Sequence, residues 1–284
     1  MPFACMKEVD CMVFRKSFVF LFLMMFLILA CDSPVALFEA RGTAVPALPG
    51  QDFNLLSLFG NKSPLGIWSD GLTMWVADDH DSKLYAYSLS TKQRKAQFDF
   101  DTLSSAGNAH PSALWSDGTT MWVADWVDGK IYAYGLRSRV RDASKDFDGL
   151  LEAGNKFPMG LWSDGSTLWV TDWDVGNQIF AYDLDTRERL PENDLVSLDS
   201  KNSAPTGIWS DGSTIWVADW TSKKIFAYKL HSGNRVPQQD FDALLSVGNN
   251  GPVALWSEGR TMWVADVIED KIFSYDLVTK EHTP

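Results

Sequence analysis

Tryptophan stands beside acidic, amide or hydroxyl side chains in three short segments. They read WVDG from Trp126, WDVGN from Trp173 and WTSK from Trp220. An indole face can stack on the C–H groups of a sugar ring while a polar neighbour bonds the hydroxyl groups. These residue types therefore predict a sugar-binding surface, although each tryptophan could instead cover the edge of its own sheet. The candidate ligand-binding residues here are Trp126, Asp128, Trp173, Asp174, Asn177 and Trp220.

Carboxylate and imidazole groups, which can bind metals or ligands, cluster at Asp79, His80 and Asp81. Three adjacent side chains in one strand-like loop cannot all point at one ion, so we expect a solvated loop and no metal site. His110, in the neighbouring return loop, could approach His80. Asp79, His80 and His110 are therefore kept as candidate ligand-binding residues. Two histidines without such neighbours are expected at the surface: His231 and His282.

Five further carboxylates recur at one spacing. They could form a ring that holds a cation, or each could accept backbone N–H groups from the following loop. We favour the second interpretation, because the second strand of each repeat should lie away from the axis. These residues are Asp78, Asp125, Asp172, Asp219 and Asp266.

The elements that position these side chains repeat five times with a period of 47 residues. A fixed period of this length is typical of a solenoid, a propeller or another repeat array. Two tryptophans mark each copy, and their burial of ~150–250 Å² each predicts a structural role. At ~25 cal/mol per Å² each contributes roughly 4–6 kcal/mol as an upper bound. The structural tryptophans are Trp68, Trp75, Trp115, Trp122, Trp162, Trp169, Trp209, Trp216, Trp256 and Trp263.

Each copy has the pattern of four short strands. In the second copy, residues 113–115 and 120–125 flank a Ser-Asp-Gly turn, which predicts a hairpin. Aromatic residues alternate in residues 130–136, which predicts a third strand, and residues 145–151 are a weaker fourth. Four strands per copy predict the blades of an all-β, five-bladed β-propeller. A parallel β-helix is the alternative.

The two ends of the repeat region are expected to meet. The fifth copy has no fourth-strand segment after its third strand, whereas QDFNLLSLFGN (residues 51–61) matches the fourth-strand segments of residues 145–155 and 239–249. We therefore predict that residues 51–60 pair with residues 271–277 and complete the last blade. Such pairing would remove two exposed sheet edges.

The WSDGxTxWVAD and KIFAY units resemble the tandem propeller repeats of exported bacterial proteins, which are relatives of the NHL, YVTN and TolB-like propellers. The resemblance covers residues 51–284. It implies a propeller, and propellers of this kind serve as binding platforms, assembly factors and occasionally enzymes.

The first residues have a different pattern. Arg15 and Lys16 precede an apolar run over residues 18–30, which is too short to span a bilayer comfortably and is typical of a signal peptide. The run ends in ILAC, which resembles a bacterial lipobox and predicts lipidation at Cys31. An ordinary cleaved signal or an uncleaved anchor is the alternative. We expect a signal peptide over residues 1–31, a flexible tether over 32–50 and an exported, membrane-anchored propeller over 51–284, on the periplasmic or cell-surface side.

Charge and motifs exclude several function classes. A formal net charge of −12 disfavours nucleic acid as a partner. Nucleophile elbows, phosphate-binding loops, zinc helices and dinucleotide fingerprints are absent from the sequence, so we assign no catalytic residue and no cofactor. We expect a monomeric, non-catalytic binding platform for a glycan or an envelope ligand. The alternatives are a protein-interaction scaffold in the envelope and, third, a hydrolase or lyase with an axial pocket.

Overall fold

The structure is a computed structural model that describes residues 52–54, 56–174 and 178–284. The predicted signal peptide with Cys31, the predicted tether and the candidate residue Asn177 lie outside this range. Within it, no helix is both long and apolar enough to span a bilayer.

The described residues form five antiparallel sheets, one for each sequence repeat. Four sheets have three strands and the third sheet has four. The strands are β1 (Pro64–Ser69), β2 (Thr73–Asp78), β3 (Lys83–Ser88), β4 (Pro111–Ser116), β5 (Thr120–Asp125), β6 (Lys130–Gly135), β7 (Pro158–Ser163), β8 (Thr167–Asp172), β9 (Gln178–Asp183), β10 (Leu195–Val196), β11 (Pro205–Ser210), β12 (Thr214–Asp219), β13 (Lys224–Lys229), β14 (Pro252–Glu258), β15 (Thr261–Asp266) and β16 (Lys271–Asp276). Short 3₁₀-helices lie at Ser57–Phe59, Ala96–Phe98, Ser104–Ala106, Ala143–Lys145, Pro191–Asn193, Pro237–Gln239 and Leu244–Val247.

An Asp-Gly turn joins the first two strands of the first four sheets, as the sequence predicts, and Glu258-Gly259 takes its place in the fifth. In the second sheet, Asp117 Oδ1 accepts the backbone N–H groups of Thr119 and Thr120, both at 2.7 Å. Gly118 has φ 89°, the left-handed conformation that favours glycine. The turn places Trp115 opposite Trp122, with ring centroids 5.3 Å apart. The same register of two tryptophans occurs in every sheet.

The first strands of neighbouring sheets pack against one another through small residues. In chain order the contacts run from β1 to β4, β7, β11 and β14, and β14 in turn contacts β1. A Cβ atom on Gly207 would lie 2.5 Å from the Cα atom of Ala254, so no larger residue fits there without a shift of the backbone. Trp68 and Trp256 also meet across the first and last sheets, with ring centroids 5.7 Å apart.

The predicted fourth strand is largely absent, which corrects the prediction of four-stranded blades. In the second sheet the segment pairs with β6 at a single bridge, between Ile131 and Phe147. The backbone N–H of Ala133 in β6 donates to a carboxylate, Asp146 Oδ1, at 2.8 Å. Because a side chain satisfies this N–H group, a continuous backbone ladder is not needed to cover the sheet edge.

An arginine holds each of these carboxylates in place, and we call the pair the edge clamp. In the second sheet Arg141 Nε donates to Asp146 Oδ2 at 3.0 Å, and its guanidinium lies 4.6 Å from the ring centroid of Tyr132. Only the third sheet adds a true fourth strand, the two-residue β10. The clamps of the first four sheets are Arg94 with Asp99, Arg141 with Asp146, Arg189 with Asp194 and Arg235 with Asp240.

The clamp of the fifth sheet is built from both ends of the described chain. Phe53 and Ile272 exchange backbone hydrogen bonds of 2.9 and 3.2 Å. Asp52 Oδ1 accepts the N–H of Ser274 at 2.9 Å, and His282 Nε2 lies 3.0 Å from Asp52 Oδ2. The leading segment thus meets the predicted strand, but through one bridge rather than a full strand. The expectation that His282 is a surface residue was wrong, because its side chain is only 17% exposed.

Lys92 connects the leading segment to the first sheet. Its Nζ atom lies 4.6 Å from the ring centroid of Phe53 and 5.7 Å from that of Trp263. Burial lowers the pKa of Lys92 to about 8, and the charge of Asp52 only partly opposes this shift.

We expect Phe53→Ala to lower the free energy of unfolding by about 3–5 kcal/mol, because it removes a buried ring from the contact between the leading segment and β16. Denaturant unfolding of the purified chain measures this difference. The control is Phe59→Ala, at a ring that is 42% exposed. A similar loss in both variants would show that the bridge at Phe53 has no special role.

Lys92 should make stability depend on alkaline pH. Its pKa is about 8 in the folded chain and about 10.5, the ordinary value for lysine, in the unfolded chain, so unfolding takes up a proton between these pH values. The free energy of unfolding therefore gains a contribution as pH rises from 8 towards 10.5. We expect Lys92→Met to remove this contribution and Lys229→Met, at an exposed lysine, to retain it. Parallel unfolding curves across this pH range for Lys92→Met and wild type would contradict the assignment.

Candidate functional site

A buried aspartate at the end of each second strand holds two loops together. Asp125 Oδ2 accepts the N–H groups of Ala109 and His110 at 3.0 and 2.9 Å. Asp125 Oδ1 accepts those of Val127 and Asp128, both at 2.9 Å. These bonds confirm the interpretation that the carboxylates accept hydrogen bonds from backbone N–H groups. The equivalent residues are all 0% exposed: Asp78, Asp125, Asp172, Asp219 and Asp266.

We call the surface formed by these loops the loop face. It comprises the loops after the second strands and before the first strands, which leave each sheet at the same end because adjacent strands are antiparallel. Within the described residues, no group of three or more His, Cys, Asp or Glu side chains is arranged to hold a metal ion. The described residues of the loops after the second strands are 79–82, 126–129, 173–174, 220–223 and 267–270.

Three of the candidate residues meet on the loop face between the first and second sheets. Asp79 Oδ1 lies 3.0 Å from His110 Nδ1 and 3.1 Å from Trp126 Nε1. The rings of His110 and Trp126 meet edge to face with centroids 5.9 Å apart. Asp79 and Trp126 hold equivalent positions one repeat apart, so this bond links neighbouring copies.

The imidazole of His110 has one nitrogen bonded to Asp79. A carboxylate can only accept, so His110 Nδ1 carries the proton that lies between it and Asp79. The side chain is 44% exposed, and Nε2 can bond a ligand as an acceptor in the neutral ring or as a donor in the charged ring. The structure therefore pairs His110 with Asp79, not with His80 as the sequence suggested. His80 is exposed.

The three loop tryptophans differ in exposure. Trp126 and Trp220 are half-buried and pack against a cluster that includes Leu65 and Val253. Trp173 is 47% exposed. Trp126 and Trp220 thus cover apolar surface of other sheets and not, as the alternative predicted, the edges of their own sheets. Trp173 has the exposure that stacking on a ligand requires.

A lysine that the sequence analysis did not single out covers Trp220. The Nζ atom of Lys223 lies 3.7 Å from the ring centroid, a cation–π distance. Burial lowers the pKa of Lys223, while the charges of Asp266 and Asp219 oppose the shift. In the sequence, the available signal for this contact was the three-residue spacing between Trp220 and Lys223. One face of the Trp220 ring is therefore covered by the Lys223 side chain.

The acidic candidates are dispersed. The Asp128 carboxylate accepts a hydrogen bond from the Tyr132 hydroxyl at 2.7 Å. Burial, followed by this bond and the charge of Asp128, raises the pKa of Tyr132. Asp174 is exposed, and its N–H donates to Asp172 Oδ1 at 2.8 Å. The structure thus assigns Asp128 a local partner and leaves the Asp174 side chain at the surface.

Comparison with known proteins shows the fold but not a family. No protein-family model and no curated protein sequence matches this chain. A chain of a nidogen/laminin complex is similar with a TM-score of 0.54 and 18% identity, over 79% of this chain and 80% of that one. A glutaminyl cyclase from Myxococcus xanthus is similar with a TM-score of 0.56 and 15% identity, over 75% and 90%. The chain is an all-β protein of repeated sheets with a propeller-like fold.

Burial separates the structural tryptophans from Trp173. We expect Trp122→Ala, at 4% exposure, to lower the free energy of unfolding by about 3–5 kcal/mol. Trp173→Ala should change it by about 0.5 kcal/mol or less, because a half-exposed ring buries little area. Denaturant titration of both variants measures the difference. A cost at Trp173 as large as that at Trp122 would mean that Trp173 belongs to the core.

Proposed function

We propose that this chain is a non-catalytic binding protein whose loop face holds a carbohydrate or another cell-envelope ligand. The observation that carries the proposal is Trp173, a ring 47% exposed on the face where the repeats differ. The strands are nearly identical among the copies, whereas the loops after the second strands are not. Because binding needs distinct groups at distinct places, the variable loops are the best position for it.

Two groups on this face suit a hydroxylated ligand. The Trp173 ring offers an apolar surface for the C–H groups of a sugar. The Asp79 and His110 pair offers Nε2 as a hydrogen-bond partner for a hydroxyl group. Apolar surface with a few placed polar groups is typical of sites for small ligands.

The proposed architecture is a monomeric five-bladed propeller closed by its leading segment. The contact of β14 with β1 and the clamp of Asp52 with His282 support closure. Since the ring would be completed within one chain, no second copy is needed to cover a sheet edge.

The proposed location is outside the cytoplasm, with the chain anchored by a lipid on Cys31. The support for this is the sequence alone: the basic residues Arg15 and Lys16, the apolar run over residues 18–30 and the lipobox-like ending. A tether over residues 32–50 would let the propeller reach ligands near the membrane.

A second candidate function is a protein-interaction scaffold in the cell envelope. Two aliphatic side chains on the loop face favour it, because Val127 is 50% exposed and Ile268 is 53% exposed. Exposed apolar groups on one face are typical of protein interfaces when they form a patch.

Glycan arrays probed with the purified full chain test the proposal. We expect binding to at least one glycan and a loss of about tenfold or more in affinity in Trp173→Ala. The matched control is Leu72→Ala, which removes a side chain 74% exposed in a hairpin turn at the other end of the strands. Silence across the array would overturn carbohydrate binding and favour the scaffold. Equal loss in both variants would exclude the loop face as the site.

A further inference from the structure

The first and second sheets share a contact that the other three sheets cannot make, because phenylalanine replaces its tyrosine at Phe180, Phe226 and Phe273. In the second sheet, the Tyr132 hydroxyl donates to the Asp128 carboxylate at 2.7 Å. Asp128 lies in the loop after β5 that the buried Asp125 holds in place. In the first sheet, the Tyr85 hydroxyl donates to Asp81. A hydroxyl and a carboxylate thus occupy this position in both sheets.

The fifth sheet fills the same position in another way. Its third strand carries Phe273, which has no hydroxyl group, and the loop carries Glu269. The Glu269 Oε1 atom accepts a hydrogen bond from Asn250 Nδ2 at 2.8 Å. The acidic side chain of the fifth sheet therefore has a partner in the loop before β14.

In the fourth sheet both members of the pair are replaced by smaller groups. Phe226 stands where the first two sheets have tyrosine, and Ser222 stands where they have aspartate. The Ser222 Oγ atom is buried and has no hydrogen-bond partner among the described residues. A buried hydroxyl without a partner is costly, so this atom needs a group to bond.

A cavity of ≈ 390 Å³ lies where the missing groups would be, and we call it the fourth-sheet pocket. Its volume falls in the range of about 300–1,000 Å³ found for small-molecule sites. Ser203 comes from the loop before β11, Thr221 and Ser222 from the loop after β12, and Phe226 from β13. The pocket therefore lies where the loops before β11 and after β12 meet β13.

The charges that line the pocket cancel, which favours a neutral ligand. Arg235 lies 2.6 Å from Asp240 and 3.4 Å from Asp199. Lys224 lies 2.8 Å from Asp242. With Lys201, the lining carries three bases and three acids. A charged ligand would meet a carboxylate or an ammonium group of its own sign on one wall of the pocket, whereas a hydroxyl group can bond both kinds.

Lys201 marks this pocket as a departure from the repeat. The other four sheets have glycine at the equivalent position, each with positive φ: Gly60, Gly107, Gly154 and Gly248. Lys201 adds an exposed ammonium group to the rim. Asp199, from the same loop as Lys201, forms an ion pair with Arg235. Hydrogen-bond donors and acceptors thus lie around the place where the first two sheets have the tyrosine hydroxyl and the aspartate carboxylate.

We propose that the fourth-sheet pocket binds one neutral sugar residue, whose hydroxyl groups take the place of the tyrosine hydroxyl and carboxylate of the second sheet. Its hydroxyl groups donate to the carboxylates of the wall and accept from its lysine and arginine groups. The proposal rests on the proposed carbohydrate function and specifies a subsite for it between the loops before β11 and after β12.

The test is to refill the pocket with the chain's own repeat chemistry. The double variant Ser222→Asp with Phe226→Tyr rebuilds the pair of the second sheet and removes no packing atoms. Isothermal calorimetry with the full chain measures binding of the methyl glycosides of glucose, galactose, mannose and N-acetylglucosamine. We expect the wild type to bind at least one of them and the double variant to bind it about tenfold or more weakly.

The matched control is Phe273→Tyr, which adds the same hydroxyl group in the fifth sheet and should leave affinity unchanged. Thermal unfolding of the double variant should match the wild type, so that loss of binding reports the pocket and not the fold. Wild-type affinity in the double variant would overturn the proposal.

Two further outcomes distinguish the pocket from the proposed function. Binding of arrayed glycans that Trp173→Ala abolishes, with no binding of any methyl glycoside, would overturn the pocket and leave the proposed function in place. Silence of the wild type in both measurements would overturn both.

Discussion

The buried carboxylate at the end of each second strand is the interaction on which the loop face depends. Asp125 accepts four backbone N–H groups, two from the loop before the first strand of the sheet and two from the loop after its second strand. Hydrogen bonds to a charged group contribute about 1.5–3 kcal/mol each, and together they offset the cost of burying the charge. Since one invariant side chain fixes both loops, the other loop residues are free to differ. This division explains how five nearly identical sheets can present five different surfaces.

The regular elements could be predicted from the sequence because the signals for them are local. Alternation with period two and the Asp-Gly turn place the three strands of each sheet correctly, as in Thr120–Asp125. The fourth strand could not be predicted in this way. The segment that contains Asp146 and Phe147 has the composition of a strand, but its carboxylate replaces a backbone acceptor and interrupts the ladder. The role of His282 also could not be predicted from local sequence, because its partner Asp52 is 230 residues away.

At the candidate site, the residue types could be predicted but the environments could not. Trp126, Trp173 and Trp220 hold equivalent positions, yet their exposure is set by neighbours that the local sequence does not specify. Asp79, from the previous repeat, bonds Trp126, and Lys223 covers Trp220. A comparison among the repeats is more informative than a motif here. Where two copies make a contact that another copy lacks, as at Ser222 and Phe226, the difference needs an explanation, and conflicts between local and global pattern are expected at functional sites.

The fifth edge clamp has a consequence for the order in which the chain becomes structured during synthesis. Arg141 and Asp146 are five residues apart, so the clamp of the second sheet can form as soon as that stretch has left the ribosome. Asp52 must wait for His282, which is synthesised 230 residues later. The leading segment therefore stays unpaired while the strands of all five sheets are being synthesised. Its folding is set by a distant part of the chain, whereas the second sheet can form its clamp from its own residues.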